Sequence, residues 1–251
     1  MLQGRGKWTL PAFEEGKTAP VTKDKDYYKN LKTCQEEVGT LMWLGIKTRE
    51  DILTAVSIAA SMQTKDPQMT LKYVEGIWKY LAMTWNEVKV IQPESDEWKL
   101  EITTDASHAP GGDRSRSGVV ILLGNVVVHC HSGKQSITAI STCESEIEAS
   151  HIGLKLGMAL RELIEEATRE KIDTVLVGDN QAALRVLTTE ITRWRTRHFA
   201  IRAGWIRDHL KQAGIGVEHR KGTLLVSDAL TKVLERVKLT EARRRLGLAI
   251  S

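Results

Sequence analysis

The spacing of apolar residues changes along this chain and divides it into two parts. Between about residues 27 and 84, three segments carry apolar residues at steps of three and four, the spacing of helices with one buried face. A polar, proline-containing break follows at 92–97, and then Trp98, Leu100 and Ile102 alternate with polar residues, the spacing of a strand. The pattern therefore predicts a helical segment followed by a domain that opens on a β-strand.

The second part continues with two more strands, "SGVVILLG" and "NVVVHCHSG", joined by a tight turn at Gly124–Asn125. A long helix is predicted over about 143–168, followed by the strand "DTVLVGDN", the helices "QAALRVLT" and "RHFAIRAGWIRDHLKQ", the strand "GIGVEHR" and a last helix, "SDALTKVLERVK". This order predicts an α/β fold, a mixed five-stranded sheet flanked by helices and preceded by a small helical segment. We divide the chain into an irregular N-terminal arm (1–26), a helical segment (27–96), the sheet domain (97–236) and a basic C-terminal tail (237–251).

Composition adds a compartment and a weak hint about partners. The chain of 251 residues has a formal net charge of +4, a mild bias that suits a polyanionic partner. Its three cysteines are far apart, which argues against a disulfide framework and favours a reducing compartment. The sequence has no apolar run long enough for a membrane helix and no signal-peptide pattern at its start. We therefore expect an intracellular protein that does not associate with a membrane.

Three glutamates, Glu144, Glu146 and Glu148, alternate at the start of the long predicted helix. On a helix, Glu146 begins a stripe of small and apolar residues, whereas the stripe of Glu144 and Glu148 continues through charged ones. We therefore expect Glu146 to face the sheet and the other two to lie at the surface, where acids in the first turns favour the helix dipole. Because a buried carboxylate is costly alone, Glu146 needs a cation or another partner.

Three further acids are predicted to lie near Glu146. Asp105 and Asp179 end predicted strands, and Asp228 begins the last predicted helix. The carboxyl ends of strands are where α/β sheets form ligand sites, so the four acids are expected at one edge. Singly, Asp179 could serve an Asx turn and Asp228 a helix start, but together they suit Mg²⁺ or Mn²⁺ and the two-ion arrangement of phosphodiester chemistry, with ions about 4 Å apart.

Five blocks carry a resemblance to a known family: "TTDASHAPGGDRSRSGVVILL", "HSGKQSITAISTCESEIEAS", "VGDNQAAL", "RTRHFAIRAGWIRDHL" and "VSDALTKVL". In this order they resemble the ribonuclease H domain of copia-type retrotransposon Pol polyproteins, and the helical segment resembles the connection segment before it. The resemblance implies that Asp105, Glu146, Asp179 and Asp228 hold two Mg²⁺ ions and hydrolyse the RNA strand of RNA/DNA hybrids. It also implies a part in reverse transcription and, as a partner, the reverse transcriptase portion of the same polyprotein.

The sequence departs from the family at His108, where a bulky aromatic is usual, and at Ile147, where a tyrosine is usual. These departures leave open a catalytically inactive or domesticated fragment that binds nucleic acid without cutting it. An integrase core of similar fold fits less well, because in those enzymes the glutamate comes last among the acids and here it comes second. For His219 the sequence allows two roles, assistance in proton transfer or a purely structural one.

Candidate contacts to nucleic acid lie outside the acids. The segment "RWRTRHFAIR" concentrates Arg195, Arg197 and His198, a composition suited to phosphate contacts, although a solvated basic helix start has the same composition. Asn180 and Gln181 follow Asp179 in the block that matches the family, and we expect them to contact the substrate as well. Backbone shape and the 2′-hydroxyl would dominate such recognition, so weak sequence preference is expected.

Overall fold

The computed structural model describes residue 10 and residues 21–92, 98–109, 113–189 and 199–250. The predicted arm over 1–26 therefore lies largely outside the described residues. The chain forms two compact units. We call Met1–Val90 together with Lys232–Ser251 the helical unit, and Ile91–Thr231 the sheet unit.

The helical unit contains the three helices that apolar spacing predicted before residue 84. Asp24 and Asp66 begin two of them, because each side chain accepts a hydrogen bond from a backbone N–H three residues on, at 2.9 Å in both cases. Pro67 takes the first position after Asp66, where its missing N–H costs nothing. The helices are α1 (Lys25–Lys47), α2 (Leu53–Met62) and α3 (Pro67–Met83), with a 3-10 turn at Glu50–Ile52.

A buried ion pair joins the turn between α1 and α2 to α3. The Arg49 guanidinium donates to both carboxylate oxygens of Asp51, at 3.0 and 2.9 Å, and to the hydroxyl of Thr84 at 2.7 Å. The Tyr80 hydroxyl donates to Asp51 at 2.6 Å. Every strong polar group in this cluster thus has a partner within the unit, as buried charges require.

The C-terminal residues complete the helical unit, which differs from the sequence expectation. In place of a basic tail over 237–251, the chain forms α7 (Arg236–Arg245) and β7 (Leu248–Ile250), and β7 pairs antiparallel with β1 (Glu87–Lys89). Arg243 pairs with Glu87, and Lys89 with Glu50. The predicted last helix was also wrong in its start: Val226–Leu230 is a 3-10 turn, and the sheet unit ends at Thr231 rather than at 236. Apolar burial explains the difference, since the α7–β7 segment buries Leu239, Ala242, Leu246 and Leu248.

The sheet unit is built on five strands in the order β4-β3-β2-β5-β6. The first three pair antiparallel, and β5 and β6 then add parallel to β2 and β5. Gly124 and Asn125 both have positive φ, as a tight hairpin between β3 and β4 requires. The strands are β2 (Lys99–Ser107), β3 (Arg116–Leu123), β4 (Val126–Lys134), β5 (Asp173–Gly178) and β6 (Gly216–His219). The helices are α4 (Thr142–Thr168), α5 (Gln181–Thr188) and α6 (Ala200–Gln212), with a further 3-10 turn at Gly222–Leu224. The predicted fold class, a mixed five-stranded sheet flanked by helices after a helical segment, is confirmed.

Helix α4 lies unusually close to the central strand β2. A Cβ built on Gly153 would come within 2.5 Å of Thr104, and one on Gly157 within 2.2 Å of Ile102. These two glycines therefore set the distance between helix and sheet. The apolar stripe predicted along α4 ends earlier than expected, because Leu163 is 64% exposed where the helix extends past the sheet.

Candidate metal centre

Three carboxylates from three elements meet at one edge of the sheet. Asp105 lies near the end of β2 and Asp179 directly follows β5, and the parallel register that pairs Thr103 with Val177 brings both acids to the same level. Glu146 reaches them from the first turns of α4. One ligand oxygen from each residue lies within 4.8 Å of the other two. The strand-end geometry expected from the sequence thus brings Asp105, Glu146 and Asp179 together.

Glu146 is buried next to two further acids, and its pKa is strongly raised. It is 8% exposed. Burial, and then the negative charges of Asp105 and Asp179, raise the pKa of Glu146 to about 9, against a hydrogen bond from the backbone of Ala106 that lowers it. At neutral pH the carboxyl therefore holds a proton unless a cation takes its place. The three side chains offer only carboxylate oxygens, within 4.8 Å of one another, and such oxygen ligands suit Mg²⁺ or Mn²⁺.

Asp228, the fourth predicted acid, does not join this group within 4.8 Å. It lies in the 3-10 turn Val226–Leu230 rather than at a helix start, as the sequence had suggested. Its backbone carbonyl is 3.1 Å from the hydroxyl of Thr231, which also donates to Asp105 at 2.6 Å. The turn that carries Asp228 is therefore tied to the site through Thr231, a residue that the sequence reasoning did not single out.

Gly222 and His219 lie close to Asp179. A Cβ on Gly222 would lie 2.5 Å from Asp179 Oδ2, so only glycine leaves room for the carboxylate in its present place. The ring Nε2 of His219 is 3.0 Å from the backbone carbonyl of Asp179. Asn180, expected to contact nucleic acid, uses its side-chain oxygen to cap α5, accepting from the N–H of Ala183 at 3.0 Å. Gln181 is exposed beside it, as a contact to substrate would require.

Glu144 and Glu148 are not surface acids, and the sequence expectation for them was wrong. They are 6% and 5% exposed. Glu144 accepts a hydrogen bond from the N–H of Ile140, just before the helix, at 2.7 Å, and the side chain of Ser141 caps the helix by accepting from the N–H of Glu144. Glu148 forms an ion pair with Arg202 of α6 at 2.7 Å. Each therefore has a structural partner, which leaves Glu146 as the glutamate that faces Asp105 and Asp179.

Gln135, which precedes the glutamate helix and could be read from the sequence as a phosphate contact, is instead a buried residue beside the site. It is 1% exposed, and its amide nitrogen donates to Ser117 Oγ at 2.9 Å and to the carbonyl of Ser145 at 2.8 Å. Ser117 pairs with Ala106, next to Asp105, and Ser145 precedes Glu146. Gln135 thus joins the strand beside one acid to the helix turn that carries another. Its place in the block "HSGKQSITAISTCESEIEAS" was the available signal.

The predicted basic contacts Arg195, Arg197 and His198 lie outside the described residues. The helices in the described part of the chain include none that is long and apolar enough to cross a membrane.

No protein-family model matches the chain. The chain is 26% identical over 222 residues to the Transposon Ty1-ER2 Gag-Pol polyprotein of Saccharomyces cerevisiae, and 27% identical to the Ty1-LR3 polyprotein. Each match covers 84% of this chain and 12% of the relative, so the chain spans about an eighth of the length of these polyproteins.

Among solved structures, the chain is similar to LC11-RNase H1 isolated from compost, at 16% identity and a TM-score of 0.39, over 59% of this chain and 91% of that one. RNase H1 from Halobacterium salinarum gives 17% identity and a TM-score of 0.40, over 53% of this chain and 93% of that one. The Ty1 relatives confirm the resemblance to copia-type Pol polyproteins that the sequence motifs carried.

Proposed function

We propose that this chain is a metal-dependent endonuclease that hydrolyses the RNA strand of RNA/DNA hybrids during retrotransposon reverse transcription, a ribonuclease H by type. The observation that carries the proposal is the meeting of Asp105, Glu146 and Asp179 within 4.8 Å at the carboxyl ends of adjacent parallel strands. The order of the family-like blocks and the similarity to Ty1 polyproteins support the same reading.

In this proposal, Asp105, Glu146 and Asp179 hold divalent cations, with Asp228 as a fourth candidate ligand on the neighbouring turn. When bound by these residues, two Mg²⁺ or Mn²⁺ ions would supply Lewis-acid activation of a water and charge stabilisation for a leaving 3′-oxygen. The acids of the chain would supply the negative charges that bind the ions, and Glu146 would bind as a carboxylate, with its proton transferred to solvent. Gln181 on the exposed start of α5, together with Arg195, Arg197 and His198, would contact the backbone of the hybrid.

The relatives are polyproteins, so we also propose a setting. The chain would act inside the cell beside the reverse transcriptase portion of the same polyprotein, with the helical unit as the segment that connects to it. The hybrid made by that polymerase would be the substrate.

Purified chain incubated with an end-labelled RNA/DNA hybrid tests the activity. We expect cleavage of the RNA strand in Mg²⁺ or Mn²⁺ and none in a chelator. Glu146→Gln should lower the rate by at least about a hundredfold, since changes merely next to metal ligands already cost ten- to a hundredfold. Glu162→Gln, on an exposed part of the same helix, is the matched control. Equal cleavage by wild type and Glu146→Gln would refute the proposal.

The position of Asp228 outside the three-acid group favours one second candidate, a domesticated module that binds hybrids without cutting them. That candidate predicts hybrid binding that survives removal of metal, with no turnover in either ion. A filter-binding titration in chelator, beside the cleavage assay, distinguishes the two.

A further inference from the structure

A buried threonine contacts the candidate metal centre without belonging to it. Thr231 is 2% exposed, and its hydroxyl donates to Asp105 Oδ2 at 2.6 Å. The same oxygen is 3.1 Å from the carbonyl of Asp228. A hydroxyl has one proton to donate, and the shorter, charge-assisted contact is the one to Asp105.

The sheet is shaped to let this contact form. Gly118 pairs with Asp105 across β2 and β3. A Cβ on Gly118 would lie 2.6 Å from the carbonyl of Ser227 and 2.8 Å from Thr231 Cγ2, so only a glycine lets this segment lie against the strand. Ser132 of β4 anchors the segment further, because its hydroxyl donates to the carbonyl of Leu230 at 2.7 Å. Thr231 is thus held in place on the sheet independently of Asp105.

We propose that Thr231 is a positioning residue that fixes the direction of the Asp105 carboxylate toward the metal, an inference that rests on the proposed function. A carboxylate rotates easily about its Cβ–Cγ bond, since that torsion is broad. A short hydrogen bond to Oδ2 holds the carboxylate in one orientation. Partners of this kind orient metal ligands and commonly cost ten- to a hundredfold when removed.

The same residue links the fourth acid to the first. Thr231 directly follows the turn that carries Asp228, and its backbone N–H donates to the carbonyl of Asp228 at 3.4 Å while its hydroxyl donates to Asp105. Loss of the hydroxyl would release the carboxylate of Asp105 and leave the backbone contact to Asp228 in place.

Thr231→Val tests the inference, because it removes the hydroxyl and keeps the shape. We expect kcat on the hybrid to fall about ten- to a hundredfold with KM for the hybrid within about twofold, and calorimetric affinity for Mn²⁺ alone to fall about tenfold. Thr231→Ser should restore both. If Thr231→Val does not fold, Thr231→Ala takes its place.

Thr103→Val is the matched control. Thr103 is equally buried, and its hydroxyl donates to the carbonyl of Val120 at 3.1 Å rather than to an acid of the site. The melting temperature of Thr103→Val should fall about as much as that of Thr231→Val, while its kcat and Mn²⁺ affinity should stay at the wild-type values.

Two results would overturn the inference: wild-type kcat and Mn²⁺ affinity in Thr231→Val, or a serine variant as impaired as the valine one. Failure of the proposed nuclease function can be told apart from failure of the inference about Thr231. If wild type binds Mn²⁺ but leaves hybrids intact, the nuclease proposal fails, and the inference is decided by Mn²⁺ affinity alone. If wild type binds no Mn²⁺, the inference fails too.

Discussion

In the described part of the helical unit, three buried carboxylates are each paired with a basic side chain: Asp51 with Arg49, Glu50 with Lys89 and Glu87 with Arg243. In the sheet unit, the charges that act on buried Glu146 are those of Asp105 and Asp179, which are further carboxylates. The first arrangement balances charge within the protein. The second accumulates one sign of charge and becomes favourable only when protons or cations from solvent enter. Burial of an acid beside a basic partner therefore indicates a stabilising pair, whereas burial of Glu146 beside two further acids indicates a site for protons or cations.

The largest effect is expected from breaking a balanced pair. Arg49→Met leaves Asp51 buried without its guanidinium, and we expect it to lower the free energy of unfolding by about 3–5 kcal/mol. Urea denaturation followed by circular dichroism measures the change. Lys79→Met is the control, since the Lys79–Glu75 pair is exposed and its loss should change stability little. A loss as small as the control's would show that the pairing does not stabilise the unit.

In the sheet unit, removal of a buried acid should raise the free energy of unfolding instead of lowering it. Glu146→Gln removes a titratable acid from a crowded site, so the metal-free protein should gain about 1–3 kcal/mol at pH 7.5. Calorimetric melting in a chelator measures the gain. Excess Mg²⁺ should reverse the order, because ion binding stabilises wild type more than the variant. A destabilised variant in chelator would mean that Glu146 has a structural partner.

The same comparison has a defined pH dependence. The pKa of Glu146 is raised from 4.5 to about 9 in the folded protein, so between those values the unfolded chain releases a proton that the folded one keeps. The contribution of Glu146 to the stability of the metal-free protein therefore falls as pH rises through this window. Glu146→Gln should show little advantage at pH 5 and its full advantage near pH 9, read as the difference in melting temperature. A difference that does not change with pH would contradict the assignment.

A smaller effect is expected from crowding Asp179. Gly222→Ala places a methyl group where Asp179 Oδ2 now lies, and the short aspartate must rotate away. We expect activity on the hybrid to fall about tenfold with little change in melting temperature, as for other displaced groups beside metal ligands. Gly39→Ala, at a position with open space around the added Cβ, is the control. Unchanged activity in Gly222→Ala would place the working position of Asp179 elsewhere.

The smallest effect concerns Glu144, which serves the start of α4. Glu144→Ala removes the acceptor of the Ile140 N–H and should lower stability by about 1 kcal/mol. Activity in excess Mg²⁺ should stay within about twofold of wild type. A loss of activity comparable to that of Glu146→Gln would make Glu144 part of the metal centre.

The convergence of Asp105, Glu146 and Asp179 could be predicted from the sequence because it follows from local periodicity and one topological rule. Strand alternation places the two aspartates at strand ends, and helical spacing turns Glu146 toward the sheet. That these acids bind metal and catalyse stays a prediction.

The environment of Glu144 and Glu148 could not be predicted in this way. A helical wheel treats every turn alike, but only the N-terminal part of α4 is covered on that side, and Arg202 of α6 reaches Glu148 there. The exposed Leu163 has the complementary cause. At 27 residues α4 is about 40 Å long, whereas a nine-residue strand such as β2 spans about 30 Å, so an apolar stripe on the helix outlasts the sheet.

The pairing of β1 with β7 could not be predicted from local sequence patterns either. Two strands of three residues carry no usable alternation, and the buried apolar residues of α7 have the same spacing as those of a solvated amphipathic helix. What joins them is contact between distant parts of the chain.

This pairing makes the helical unit discontinuous, with the whole sheet unit inserted between its two pieces. During synthesis, β1 leaves the ribosome about 160 residues before the strand that covers its edge, and Glu87 emerges well before Arg243. The sheet unit can therefore fold while the helical unit is still waiting for its last strand. A chain released before residue 232 would keep an open strand edge and an unmatched acid, the properties that lead unfinished proteins to aggregate.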